Sequence, residues 1–200
     1  WRGPGLALTI IDSLTTLYLA NLTQQWHAAL DYVEHDLTFD VPLSVSVFET
    51  MIRCVGGLIG AYEVSGEKHA FLLAKARDIA DRLMPAFDTP TGLPSAYVHL
   101  QLGNHSLPSW RGGAGGALYL AEMATNGLEL RALTYHTRDP KYAKAANRVN
   151  QLLSNVCSEL GVCHLRYNAE THQWEGDEVS IGGLADSYYE YLLKMYVHSG

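Results

Sequence analysis

Leu43-Ser44-Val45-Ser46-Val47-Phe48-Glu49-Thr50-Met51-Ile52-Arg53 sets one acid and one base into an otherwise apolar run. Val45, Phe48, Ile52, Val55 and Ile59 recur at spacings of three and four, and Val47, Met51, Leu58 and the Gly56-Gly57 pair leave almost no polar face. The pattern predicts a helix from about Leu43 to Val64, buried nearly all round. Glu49 and Arg53, four residues apart, share one side of it and would project together into a largely desolvated place. Such a pair is either a structural brace between helices or a site, because a carboxylic acid in a low-dielectric pocket has a raised pKa and can act as a general acid near neutral pH.

Working outward, Gly5 to Ala20 has the pattern of a mostly buried helix, and a second begins near Thr23 and runs toward Asp36. The Glu49 helix and a more amphipathic one from Lys68 to Met84 form a second hairpin, closed by Pro85. A third pairs a long helix from Gly115 to about His136 with Lys141 through Val156, the latter introduced by Arg138-Asp139-Pro140. Trp26-x-x-Ala29, Phe71-x-x-Ala74 and Tyr142-x-x-Ala145 repeat an aromatic and a small residue one turn apart on the second member of each pair. Between the pairs lie segments with strand and turn character, around Ala96 to Leu100 and from Cys163 through Trp174. Greasy inner helices alternating with half-exposed outer ones, with small hairpins at one rim, describe an α/α barrel. A final inner helix, Gly183 to Tyr196, ends in Tyr196-Val197-His198-Ser199-Gly200, which resembles the turn Tyr62-Glu63-Val64-Ser65-Gly66 from which an outer helix departs. The expectation is a single domain over residues 1–200 that is only part of a longer one.

The bulk numbers narrow the partners. The 200 residues are 48% hydrophobic and 18% charged, with a formal net charge of −7. That balance argues against nucleic acid or an anionic membrane surface. No apolar run reaches the length of a membrane span, and Trp1-Arg2-Gly3-Pro4 does not begin a signal peptide, so any leader or anchor is expected outside these residues. Of three cysteines, Cys157 and Cys163 are close enough to pair around a short loop, while Cys54 reads as an unpaired core thiol. No metal-binding spacing is present. Asn21-Leu22-Thr23 and Asn104-His105-Ser106 are glycosylation sequons if the chain enters the secretory route.

Asp12, Glu49, Glu122, Glu129, Asp186 and Glu190 fall on the inner helices. Carboxylates at a barrel mouth, flanked by aromatics such as Tyr188, Tyr189, Trp110 and Trp174, suit a carbohydrate. An inverting glycosidase needs one protonated acid and one base about 6.5 to 9.5 Å apart, with room for a water between. Glu129 and Glu190, with Arg131 and Lys194 nearby, read better as helix braces. No Gly-x-Ser-x-Gly elbow, phosphate-binding glycine loop or dinucleotide fingerprint competes. Gly112-Gly113-Ala114-Gly115-Gly116 reads as a flexible approach to the rim, and His27, His35, His69, His136 and His198 as solvated or bracing groups.

LALTIIDSLTTLYL, FDVPLSVSVFETMIRCVGGLIGAYEVSG, ADRLMPAFDTPTGLPSAYVHL, LAEMATNGLELRALTYHTRDPKYAKAANRV and VSIGGLADSYYEYLLK, in that order, closely resemble class I α-1,2-mannosidases, glycoside hydrolase family 47. The resemblance spans essentially the whole chain. It implies an (α/α)7 barrel, of which this is about the N-terminal half, and Ca²⁺-dependent inverting hydrolysis of terminal α-1,2-linked mannose on high-mannose N-glycans. It also implies a monomer resident in the ER or Golgi lumen or secreted, in some members as a type II membrane protein. By motif, the family's proton donor, acting through water, falls on Glu49 and its arginine on Arg53. The catalytic Asp of DSYYEYLLK falls on Asp186, and the sugar-binding Glu of LAEMAT on Glu122.

Leu184, two residues before Asp186, stands where ER-type members that trim one mannose have Arg and Golgi-type and many fungal enzymes have Leu, which favours broader trimming. Thr15 stands where the family usually has Asp, and Asn126-Gly127 replaces a usual Leu-Gln. The remaining catalytic Glu and the Thr that binds Ca²⁺ have no counterpart among these residues, so the ion's ligands are expected outside this chain and the piece alone is expected to be inactive. The alternatives are an ER degradation-enhancing mannosidase-like protein and a non-catalytic glycan-binding module.

Overall fold

The computed structural model describes residues 5–106 and 117–199. Four inner helical segments stand side by side in chain order, three of them backed by an outer helix. α1 (Leu8–Leu19) turns through Asn21 into the outer α2 (Thr23–His35). The second inner segment is composite: α3 (Val47–Thr50), a π-helical turn (Met51–Val55) and α4 (Gly56–Val64), followed by the outer α5 (Ala70–Leu83). The third is also composite, α6 (Leu120–Ala124) and α7 (Gly127–Thr137), backed by α8 (Lys141–Val156); α9 (Asp186–Ser199) is the fourth. α1 packs on α4, α4 on α7, and α7 on α9, while α2 touches α5. This is an arc of an α/α toroid.

The outer helices owe their place to amphipathicity. α8 buries Tyr142, Ala145, Ala146, Val149 and Leu153 on one stripe, and α5 buries Leu72, Ala76, Ile79, Ala80 and Leu83. Asp139 starts α8 by accepting a 3.1 Å hydrogen bond from the Lys141 backbone N–H, as the Arg138-Asp139-Pro140 signal predicts. Of the three aromatic-small repeats, those of α2 and α8 are buried pairs. In α5 Ala74 is exposed and the buried stripe is set by Leu72 and Ala76 instead. Inner helices approach closely through glycine. A Cβ on Gly57 would lie 2.8 Å from the Ile11 carbonyl oxygen of α1, a contact only glycine permits.

Expected helices prove shorter at their starts. Leu43 to Ser46 does not open the Glu49 helix: Ser44–Ser46 is strand β1, paired antiparallel with β2 (Tyr97–His99) at the register Ser44↔His99, and β2 with β3 (His105–Ser106). The alternating Ser44-Val45-Ser46 suits a strand edge, and Ser46 then caps α3, its Oγ accepting from the Glu49 N–H at 3.3 Å. The expected Gly115–His136 helix begins outside the described residues. From Ala117 it runs as strand β4 (Ala117–Tyr119), then α6, then a break at Thr125-Asn126, then α7. The buried Asn126 side chain turns back to donate to the Met123 carbonyl at 3.0 Å, a local bond that competes with helix continuation. β4 pairs with β5 (Arg166–Asn168), and β5 with β6 (Gln173–Trp174). Gly183 to Ala185 forms a turn before α9 rather than its first residues.

Cys157 and Cys163 are joined in a disulfide that ties the end of α8 to the approach to β5, and Cys54 is a buried free thiol. Desolvation lifts that thiol to about 12, which keeps it protonated and inert.

Candidate active site

The first turns of α3, α6 and α9 carry Glu49, Glu122 and Asp186 respectively. α3 packs on α6 and α6 on α9, so the three carboxylates belong to neighbouring helix starts on the side of the barrel where β1 and β4 lead in.

Arg53 organises the first part of the site. Its Nε donates to Glu49 Oε2 at 2.7 Å and its Nη1 to Asp12 Oδ2 of α1 at 3.1 Å. One guanidinium therefore fixes two carboxylates from two helices, and those bonds, the Glu49 bond first, hold Arg53 charged well above any working pH. Asp12 was legible only as one inner-helix acid among six; the structure makes it Arg53's second partner. The setting differs from the desolvated pocket that the apolar sequence predicts. The Glu49, Arg53 and Asp12 side chains are 45%, 44% and 44% exposed. The apolar residues between them, Met51, Cys54 and Val55, are buried on the other side of the helix, which leaves the charged face open.

The second part joins α6 to α9. The Ala121 N–H donates to the Leu184 carbonyl at 2.8 Å, and Thr125 Oγ1 lies 2.7 Å from Ser187 Oγ. These bonds flank Glu122 and Asp186 and hold the two chain segments together. Asp186 Oδ1 accepts from the Ser187 N–H at 2.9 Å, which sets the carboxylate's orientation on its own helix. Leu184 has φ of +75° and is half-exposed, a left-handed backbone that a branched side chain adopts at a cost of about 1 to 3 kcal/mol. Among the described residues, no hydrogen bond directly links the Glu49–Arg53–Asp12 cluster to Asp186.

Other expected groups take structural roles. Tyr188 is buried, Tyr189 accepts a 3.3 Å hydrogen bond from the Cys163 N–H, and Trp174 packs on Tyr167 while donating to the Val156 carbonyl at 2.8 Å. Tyr189 and Trp174 are partly buried and engaged in these bonds, and Trp110 lies outside the described residues, as does the Gly112–Gly116 run. Glu190 pairs with Lys194 at 3.6 Å, a brace as expected. Glu129 does not pair with Arg131, which donates to Asn147 instead; its Oε1 accepts from Tyr191. His136 is tucked against Glu63 at 2.9 Å with its side chain only 6% exposed. A cavity of about 510 Å³ at the hairpins is lined by Thr89, Leu93, Ser95, His105, Leu118 and His172, and by none of the candidate carboxylates.

Residues 2–200 match glycosyl hydrolase family 47. This chain belongs to that family. It is 42% identical over 193 residues to mannosyl-oligosaccharide 1,2-alpha-mannosidase MNS1 of Arabidopsis thaliana, covering 96% of this chain and 34% of that protein. It is 38% identical to mannosyl-oligosaccharide 1,2-alpha-mannosidase IA of Sus scrofa, covering 96% of this chain and 28% of that protein. An α-1,2-mannosidase from Trichoderma reesei superposes with a TM-score of 0.84 at 30% identity, over 98% of this chain and 42% of that one. The family-47 chain thus spans about a third of the length of the curated relatives it matches. Among the described residues no three His, Cys, Asp or Glu side chains converge in a way that could hold a metal ion. The described residues do not fit a Ca²⁺ site by themselves.

Proposed function

We propose that the protein carrying these residues is a mannosyl-oligosaccharide 1,2-α-mannosidase that hydrolyses terminal α-1,2-linked mannose on N-glycans with inversion. The observation that carries this reading is the cluster in which Arg53 bridges Glu49 and Asp12 at 2.7 and 3.1 Å on an open face, next to the bonded α6–α9 unit bearing Glu122 and Asp186. Glu49 is the acid, delivering a proton through a water to the departing glycosidic oxygen. Arg53 holds it in place. Asp186 belongs to the catalytic apparatus, and Glu122 and Leu184 shape the mannose subsite. Leu184, rather than Arg, goes with a Golgi-type or fungal-type trimming pattern. Ca²⁺ dependence belongs to the same reading and rests on the family resemblance.

The Cys157–Cys163 disulfide supports a place in the secretory lumen, where such bonds persist. No helix among the described residues is long and apolar enough to cross a membrane.

The test is a time course of free mannose released from a high-mannose N-glycan by the full-length protein, with and without a chelator, beside its Glu49→Gln variant. Release by the parent and near-complete loss in Glu49→Gln supports the assignment. Undiminished release by the variant refutes the role of Glu49, and glycan binding without turnover by the parent points to a binding module.

A further inference from the structure

The turn between α1 and α2 carries a motif that the hydrolytic reading does not use. Asn21 sits there with φ of +56°, and Asn tolerates that left-handed conformation better than most residues. The turn explains an asparagine but not the threonine that follows it. Thr23 is the first residue of α2, yet the N-cap of that helix is Leu22 and no side chain caps it. Instead of serving the helix, Thr23 Oγ1 turns back to the Asn21 side-chain Oδ1 at 3.4 Å. Both residues are exposed, and no hydrogen bond among the described residues engages Asn21 Nδ2.

The surroundings are unusual for a bare surface. Leu19 is 71% exposed, and Leu22 and Tyr18 are exposed too, so three apolar side chains within three residues of Asn21 face solvent. The turn follows the C-terminal end of α1, whereas Asp12 lies in its first half, about 10 Å back along the axis at 1.5 Å per residue. A bulky group on Asn21 would cover the apolar turn and leave the rim of candidate carboxylates open. The other sequon differs. Asn104 lies in the β2–β3 turn, and its Ser106 is paired in β3 and lines the 510 Å³ cavity, so a group there would stand at the rim.

We infer that Asn21 is an N-glycosylation site whose glycan shields the Tyr18-Leu19-Leu22 turn at the end of the barrel away from the candidate site. The inference rests on the secretory placement given under Proposed function. In the step, the Asn21 carboxamide nitrogen displaces the diphosphate from C1 of the reducing-end sugar of a polyprenyl-diphosphate oligosaccharide. The C1–oxygen bond to phosphate breaks, the N–C1 bond forms, and the amide gives up one proton. No electrons are gained or lost.

The test uses full-length protein made through the secretory route of a yeast or insect cell. Peptide N-glycosidase treatment in heavy-oxygen water converts a glycosylated asparagine to labelled aspartate. Trypsin releases residues 3–53 as one peptide with this single sequon. Labelled aspartate at position 21, lost in Thr23→Ala and retained in Thr23→Ser, supports the inference. The Thr23→Ala variant keeps Asn21 and its turn, so the result does not depend on Asn21→Gln folding. Unlabelled Asn21 overturns the inference. The state of Cys157 and Cys163 in the same sample then separates the causes: a bonded pair faults the glycosylation site alone, and free thiols fault the secretory placement with it. The glycan-free variants are expected to lose secreted yield and to aggregate more than the parent, with specific activity of the recovered protein unchanged.

Discussion

The Tyr191 hydroxyl donates a 2.6 Å hydrogen bond to Oε1 of Glu129, joining α7 to α9 inside the core, while Oε2 of the same carboxyl is buried with no partner among the described residues. Burial, opposed mainly by the Tyr191 bond, lifts the Glu129 carboxyl from 4.5 to about 7. In the unfolded chain this group ionises near 4.5, so folding takes up a proton between that value and about 7. The associated stability is fully present below about 4.5 and is lost as pH rises through about 7, on the order of 3 kcal/mol in all. Denaturant melts of the full-length protein across that interval should show the decline. Glu129→Gln, which cannot ionise but can still accept from Tyr191, should flatten it.

Arg53→Ala separates positioning from stability. Its ion pairs with Glu49 and Asp12 are nearly half-exposed, so their loss should cost less than about 1 kcal/mol. Mannose release should fall by about a hundredfold or more, because Glu49 is no longer held in one orientation. Arg53→Lys should recover little, since an ammonium lacks the planar fork that reaches both carboxylates. Asp12→Asn should give a smaller loss. A large drop in melting temperature with unchanged turnover would show the cluster to be a brace.

Gly57→Ala should destabilise the protein by about 1 to 3 kcal/mol, because the new Cβ would meet backbone, the Ile11 carbonyl oxygen at 2.8 Å, and backbone cannot rotate away. Gly60→Ala, whose Cβ would meet Thr15 Oγ1 at 3.3 Å, should cost less, since that side chain can yield. Equal melting temperatures for the two variants would refute this picture of α1–α4 packing.

Cys157→Ser should lower stability by about 2 kcal/mol, the loop-closure value for a short loop such as this six-residue separation. Trp174 bonds to the Val156 carbonyl beside the bridge, so its fluorescence should shift at lower denaturant than the global transition. A reducing agent should reproduce both effects in the parent.

The helical pairing was legible because it depends on periodicity, which α5 and α8 display along one stripe each. The two composite inner segments were not. Val45 fits the helical period as well as it fits alternation with Ser44 and Ser46, and only the partner strand at Tyr97–His99 decides for a strand. Likewise Asn126 breaks its helix through a side-chain bond to Met123, a choice invisible to hydrophobic pattern. In the site, the Glu49–Arg53 pairing followed from i, i+4 spacing. Its second carboxylate, Asp12, comes from 41 residues away and depends on how α1 lies against the helix. That pair is more exposed than its apolar sequence context predicts, because the apolar residues around it are buried on the far side.

The π-helical turn Met51–Val55 separates Glu49 from the Gly56–Val64 stripe that packs on α1 and α5. Such a turn holds one residue more than an α-helix needs for the same rise. The chain is therefore out of phase with itself across this point by about 100°, the rotation of a single residue. Removing one residue here, Ile52 for instance, would restore an unbroken helix and a better hydrogen-bond ladder. It would also swing Glu49 about a quarter turn away from the face on which the π-helical turn now presents Arg53. Among relatives that keep the acid, this segment should tolerate substitution far more readily than any change in length.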